Sequence, residues 1–167
     1  TPFYHPILPL LCDSDIARVA HPGVPLPGRF RYPEDARIQL ERARSFLQAR
    51  LGVAPAGLWP SEGSVSDEAL ALAAETGFTW SATDNGVLAR TVNMPASPEL
   101  GYQPFLWRHQ TEHAVREMRL VFRDHELSDL IGFTYQRVPP KEAARHFLDK
   151  IRGNCANILR SGREALV

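Results

Sequence analysis

Gly57-Leu58-Trp59-Pro60-Ser61-Glu62-Gly63-Ser64 is the stretch that decides how this chain is read. It is a short apolar run that breaks at Pro60 and delivers a carboxylate, Glu62, just past the break. Ser64 to Gly77 then carries helix signals: Ser64 or Ser66 as N-cap, Asp67 and Glu68 in the first turn, Gly77 as terminator. Phe78-Thr79-Trp80-Ser81-Ala82-Thr83 is β-branched and aromatic, which predicts a strand ending in Asp84-Asn85-Gly86. The order is strand, acidic loop, helix, strand, acidic loop. Glu62 and Asp84 are therefore expected at the carboxyl ends of neighbouring strands, where the loops of parallel α/β folds carry chemistry.

Upstream, Thr1 to Asp15 predicts a strand end and a rigid loop, because Pro2, Pro6 and Pro9 suit extended or turn backbone and exclude a helix. Asp13-Ser14-Asp15 caps a short helix running to about Ala20. Pro33-Glu34-Asp35 opens a longer one that closes at Gly52, with Ile38, Leu40, Ala43, Phe46, Leu47 and Leu51 on its apolar face. Val53 to Ala56 then leads into an expected central strand. Downstream, Gly86 to Pro98 predicts a long loop, Tyr102 to His109 a strand, Gln110 to Ala114 a turn, and Glu117 to Phe122 a strand ending in Arg123-Asp124. His125 to Tyr135 predicts a short helix stopped at Gly132. Pro139-Pro140 opens a last helix ending at Gly162, with Ala143, Ala144, Phe147, Leu148, Ile151, Cys155 and Leu159 inward. Strand–loop–helix repeated in this way requires parallel strands with helical crossovers, and an open doubly wound sheet and a section of a barrel fit equally well.

The 167 residues make one domain or a piece of a larger one, and 19 basic against 19 acidic side chains leave no basic surface to argue for nucleic acid or an anionic membrane. No apolar run reaches the 18 residues or so of a membrane span. The apolar run Pro6 to Cys12 is short and lacks the basic flank of a signal peptide, so a cytoplasmic location is expected. Cys12 and Cys155 match no metal or redox spacing and read as two buried free thiols, with a bridge between them as the alternative. Thr1 at one end and the strand-like Glu164-Ala165-Leu166-Val167 at the other give the expectation of a segment truncated at both ends.

Glu62, Asp84 and Asp124 form the candidate chemistry. Three acids on one edge suit a general acid/base pair with a spare, or a metal site; each also suits the duller role of capping the helix behind it. Trp59 beside Glu62 suggests an aromatic wall that would desolvate the carboxylate. His5 is either held by a backbone partner or part of a site. His109 and His113 have the i, i+4 spacing of zinc helices, but Gln110 rather than an acid takes the second position and the segment carries no clear helical pattern. Trp59, Trp80, Trp107, Tyr102 and Tyr4 suit either sugar faces or a core. The nucleophile elbow, the phosphate loop and the dinucleotide glycine motif are absent.

Thr1-Pro2-Phe3-Tyr4-His5-Pro6-Ile7-Leu8-Pro9-Leu10-Leu11, Arg31-Tyr32-Pro33-Glu34-Asp35-Ala36, Gly57 to Ser66, Ala82-Thr83-Asp84-Asn85-Gly86-Val87-Leu88 and Phe122-Arg123-Asp124-His125-Glu126-Leu127-Ser128-Asp129-Leu130-Ile131-Gly132-Phe133 together resemble the amylopullulanase-like branch of glycoside hydrolase family 57. The resemblance runs nearly end to end and in order. It implies an α/β fold, part of an incomplete (β/α)7 TIM-like barrel with parallel strands. It implies a retaining glycosidase or transglycosylase acting on α-glucans such as starch, glycogen or maltooligosaccharides, without cofactor or metal. The family's Trp-x-x-Glu nucleophile falls on Glu62. His5, Trp59, Asp84, Arg123 and Asp124 become expected sugar contacts. The first-strand His-Gln-Pro motif would precede Thr1, and the general acid aspartate would follow Val167. Residues 1–167 are then an internal segment of the catalytic barrel, expected to be inactive alone. The alternatives are a metal-dependent deacetylase using Asp84 or Asp124 with His109 and His113, and a non-catalytic glucan-binding barrel.

Overall fold

Helix α1 (Leu8–Cys12) stands where the prolines predict loop. Pro9 falls in the first turn, where the amide that proline lacks has no helical partner to lose. Leu8 and Cys12, four apart, point the same way and are both 1% exposed. The computed structural model describes residues 1–110 and 114–167. These divide into two compact units, Thr1–Thr83 with Leu106–Leu120, and Asp84–Phe105 with Val121–Val167.

In the first unit, α1 is followed by a 3-10 turn at Ser14–Ile16 and by α2 (Ala17–Ala20), as the Asp13 cap predicts. Helix α3 (Pro33–Leu51) ends on Gly52 in the left-handed conformation, φ 75°. Its buried stripe is Ala36, Leu40 and Ala43; Ile38, Phe46 and Leu51, expected inward, are exposed. Helix α4 (Asp67–Glu75) begins at Ser66, whose side chain accepts from the Ala69 amide, and buries the whole run Ala69 to Ala73. Helices α1, α3 and α4 pack together, with Leu8, Leu40 and Ala73 at or below 1% exposure.

The sheet contains β1 (Gly57–Leu58), β2 (Trp80–Asp84), β3 (Phe105–Gln110) and β4 (Val115–Arg123), in the order β1-β2-β4-β3. β1 and β2 pair in parallel, Gly57 against Trp80 and Leu58 against Ser81. β3 and β4 are neighbours joined by four residues, too short for a crossover, so that edge is antiparallel. The expected central strand is instead a two-residue strand at the sheet's other edge. Pro60, which has no amide to donate to a ladder, cuts it short. The α/β class with helical crossovers stands.

In the second unit the predicted loop after Asp84 is largely helical. Asp84 caps α5 (Asn85–Val92) by accepting from the Gly86 amide, and the helix closes on left-handed Asn93. Ser97 caps α6 (Pro98–Gly101). Asp124 caps α7 (His125–Asp129), and the chain continues through a π-helical turn, Leu130–Thr134, so Gly132 does not stop it. Helix α8 (Pro140–Arg160) closes through Gly162, φ 76°. Its stripe of Ala143, Cys155 and Ile158, with Phe147 and Ile151 half-covered, builds a core with Tyr102 and Leu127. Leu148 and Leu159 were expected there but are exposed, because each sits one residue, about 100° of helix, off the stripe. Cys12 and Cys155 are both free and buried, and burial, with Glu68 adding to it, pushes the Cys12 thiol up to about 12. No helix among the described residues is long and apolar enough to cross a membrane.

Gly57 fits its register for a steric reason. A Cβ there would lie 2.2 Å from two carbons of the Trp80 indole, which lies across the glycine backbone. Gly57→Ala is expected to destabilise the protein by about 1–3 kcal/mol by displacing that ring. Denaturant unfolding measures this; wild-type stability would show that the indole does not pack on the Gly57 backbone.

Candidate active site

The candidate nucleophile is delivered by an unusual piece of backbone. Pro60 is extended (φ −68°, ψ 150°), and Ser61–Gly63 forms a single 3-10 turn. Within it Glu62 is left-handed, φ 56° and ψ 18°. For a residue with a Cβ this conformation costs roughly 1–2 kcal/mol. Such strain persists only where the surroundings over-determine it, and it is common at functional sites. Here the Gly63 amide donates to Pro60 O (2.9 Å) and the Ser64 amide to Ser61 O (3.0 Å). Ser61 and Gly63 are buried on either side, and the Glu62 side chain between them is 73% exposed. Trp59 is half-buried, so the expected aromatic wall does not enclose Glu62.

The residue facing Glu62 is His5, with Nε2 3.8 Å from Oε1. His5 is also left-handed, φ 59°. A turn holds it there, its amide donating to Pro2 O (3.1 Å), while the Tyr4 amide donates to Gln39 Oε1 (2.8 Å) on α3. Among the described residues the non-glycine left-handed positions are His5, Glu62 and Asn93. Two of these three, His5 and Glu62, meet across 3.8 Å.

In the second unit Asp84 and Arg123 come together, Arg123 Nε donating to Asp84 Oδ2 at 2.8 Å. His125 Nδ1 lies 3.2 Å from the same oxygen, and its Nε2 lies 3.1 Å from Asp129 Oδ2. Burial opposes the charge on Asp84, but the Gly86 amide, His125 and Arg123 outweigh it and hold the carboxyl below its ordinary value. Asp124 is occupied at both oxygens. Oδ1 accepts from the Leu127 amide (2.8 Å), and Oδ2 accepts from the Tyr102 hydroxyl (2.6 Å), with Asn154 donating to both Tyr102 Oη (2.9 Å) and Oδ2 (3.4 Å). Burial, and then the Asp124 carboxylate, push the Tyr102 hydroxyl upward.

His109 lies on β3, stacked on Trp107 at 5.8 Å between ring centroids, with Nδ1 3.9 Å from Asp67 Oδ2; His113 lies outside the described residues. Trp107 donates to Asp67 Oδ1 at 2.8 Å. Among the described residues no three His, Cys, Asp or Glu side chains converge on a metal-sized site. The sequence reading missed His125, although its i, i+4 spacing to Asp129 on a short helix was visible. It also missed Ser81 and Thr83, two small polar side chains in a strand read only for its composition.

The family model "Glycosyl hydrolase family 57" matches residues 1–163, and the chain belongs to that family. No curated protein sequence matches it. Among solved structures, the crystal structure of a 4-α-glucanotransferase from Thermococcus litoralis is similar with a TM-score of 0.54 and 19% identity, over 87% of this chain and 18% of that one. This likeness supports the fold, α/β and consistent with part of a (β/α)7 barrel. The chain spans less than a fifth of that neighbour's length.

The depressed Asp84 carboxyl fixes a pH dependence. Asp84 is more easily ionised folded than unfolded. Its stabilisation is therefore full above the ordinary aspartate value of about 4, and is lost as pH falls through the lower folded-state value. Asp84→Asn is expected to cost about 1–2 kcal/mol at pH 6 and distinctly less at pH 3. Thermal unfolding at the two pH values measures the difference; an equal cost would mean that these contacts do not favour the charged form.

Proposed function

We propose that this chain is part of the catalytic barrel of a retaining glycosidase or transglycosylase acting on α-glucans, with Glu62 as the nucleophile. The observation that carries the reading is the strained, exposed Glu62 carboxylate facing His5 just past a strand end. Fixing a short carboxylate in an unfavourable backbone state is a cost with no packing return, and it pre-orients an attacking group. Family membership supplies the reaction class. The amylopullulanase or α-amylase type, and starch, glycogen or maltooligosaccharide as substrate, belong to this proposal.

In the first step a Glu62 oxygen attacks the anomeric carbon and the glycosidic bond breaks. An aspartic acid acting as general acid gives its proton to the departing oxygen. In the second step water, or a sugar hydroxyl, attacks the glycosyl-enzyme while that aspartate takes the proton back. Retention by this route needs the two carboxyl groups about 5–5.5 Å apart. His5, at hydrogen-bonding reach of a sugar bound against Glu62, orients the substrate, and Trp59 offers an indole to its apolar face. Asp84 and Arg123 are assigned to sugar hydroxyls. Asp124, with both oxygens engaged, holds the start of α7 and the backbone beside Arg123. The buried free thiols fit a reducing, cytoplasmic setting.

Glu62→Gln in the intact enzyme is expected to lower turnover of maltooligosaccharides by at least about a thousandfold, because the covalent route is lost, while leaving binding by calorimetry within a few-fold. Near-wild-type turnover would remove Glu62 from the chemistry. Unchanged glucan binding in a wild type that turns over no glucan would mark a binding barrel.

A further inference from the structure

The Glu62 turn is held from outside by one neighbouring strand. β2 runs beside β1 and sends two inward side chains across to it, Ser81 and Thr83, both wholly buried. Ser81 Oγ donates to Leu58 O at 2.9 Å, and Thr83 Oγ1 donates to Gly63 O at 2.5 Å. These bonds grip the chain on either side of Trp59-Pro60-Ser61-Glu62. The second falls on the carbonyl immediately after Glu62, on a glycine that is itself left-handed, φ 66°.

The two backbone bonds inside the turn, from Gly63 to Pro60 and from Ser64 to Ser61, are local and move with it. The Ser61 side chain supplies packing only: its Oγ is buried without a hydrogen-bond partner among the described residues. Thr83 Oγ1 ties the backbone of the turn to a different element. Rotation of the Glu62–Gly63 segment toward ordinary backbone angles would swing the Gly63 carbonyl off the threonine and leave a buried acceptor unpaired, which is costly. The hydroxyl therefore opposes the relaxation that the strain favours.

We infer that Thr83 is a positioning residue for the Glu62 carboxylate, acting through the Gly63 carbonyl. The inference rests on the reading of Glu62 as nucleophile. Thr83→Val keeps the volume and branching of the side chain and removes only the donor. Thr83→Ser keeps the donor and removes the methyl.

The test compares wild type, Thr83→Val, Thr83→Ser and Glu62→Gln in the intact enzyme, using a 5-fluoro-α-glucosyl fluoride that traps the glycosyl-enzyme. Intact-protein mass gives the labelling rate, and maltooligosaccharide kinetics give kcat and KM separately. Thr83→Val is expected to label, and to turn over, about ten- to a hundredfold more slowly with KM within a few-fold, as a displaced reacting group does, and Thr83→Ser to stay near wild type. Circular dichroism checks the fold of each variant. If valine is not accommodated, Thr83→Ala against Thr83→Ser isolates the hydroxyl, and equal labelling of those two overturns the inference. Wild-type labelling and kcat in a folded Thr83→Val also overturn it. Covalent labelling that persists in Glu62→Gln overturns the reading of Glu62 itself; a dead Glu62→Gln beside a wild-type-like Thr83→Val overturns only the role of Thr83.

Discussion

The parallel pairing of β1 with β2 is the contact on which the candidate chemistry depends. By itself it is slight, a two-residue strand cut off by Pro60. Side-chain hydroxyls flank the proline: Ser81 donates to Leu58 O before it, within the paired register, and Thr83 donates to Gly63 O beyond it. A strand that could not continue its ladder is thereby held on both sides of the break by hydroxyl donors, and the segment between them is free to take the left-handed shape that turns Glu62 outward. The strain at Glu62 and the burial of two polar side chains in β2 are parts of one arrangement. The buried hydroxyls are satisfied by the carbonyls they restrain, which is the condition for polar groups to stand inside a core.

The second unit uses its acids twice. Asp84 ends β2, caps α5 through the Gly86 amide, and accepts from Arg123 with its other oxygen. Asp124 directly follows β4, caps α7, and receives the Tyr102 hydroxyl and the Asn154 amide. Capping a helix and serving a site are distinct roles for such an acid. They are compatible, because a carboxylate has two oxygens and a helix N-terminus engages one. The same economy makes Asp84 a well-held anion: Arg123 and His125 converge on the oxygen that the cap leaves over.

Membership of glycosyl hydrolase family 57 accounts for the order of these pieces, and the similarity to the glucanotransferase accounts for the fold. The residues of this chain explain the local geometry without either. A proline-broken edge strand, a threonine one strand over and a glycine after the glutamate are enough to derive an outward, strained carboxylate. A histidine in a second strained turn, supported from Gln39, faces it.

The sequence alone determined the α/β alternation, an N-cap at Ser64 or Ser66, the capping signals at Asp84 and Asp124, and the marking of Glu62, Asp84 and Asp124 as candidate acids. All of these are local signals: periodicity, turn chemistry, and residue types at strand ends. It misread Leu8–Cys12 and Asn85–Val92 as loop, because proline and glycine near a helix start look the same in sequence as breakers. It also placed β1 at the centre of the sheet. Only the tertiary structure decided which strand neighbours which, and with that the bonds from Ser81 and Thr83, 23 and 20 residues from their acceptors. Hydroxyls in a strand carry no mark of what they will bond to. Their role is fixed when the sheet forms and brings the carbonyls of another segment within reach.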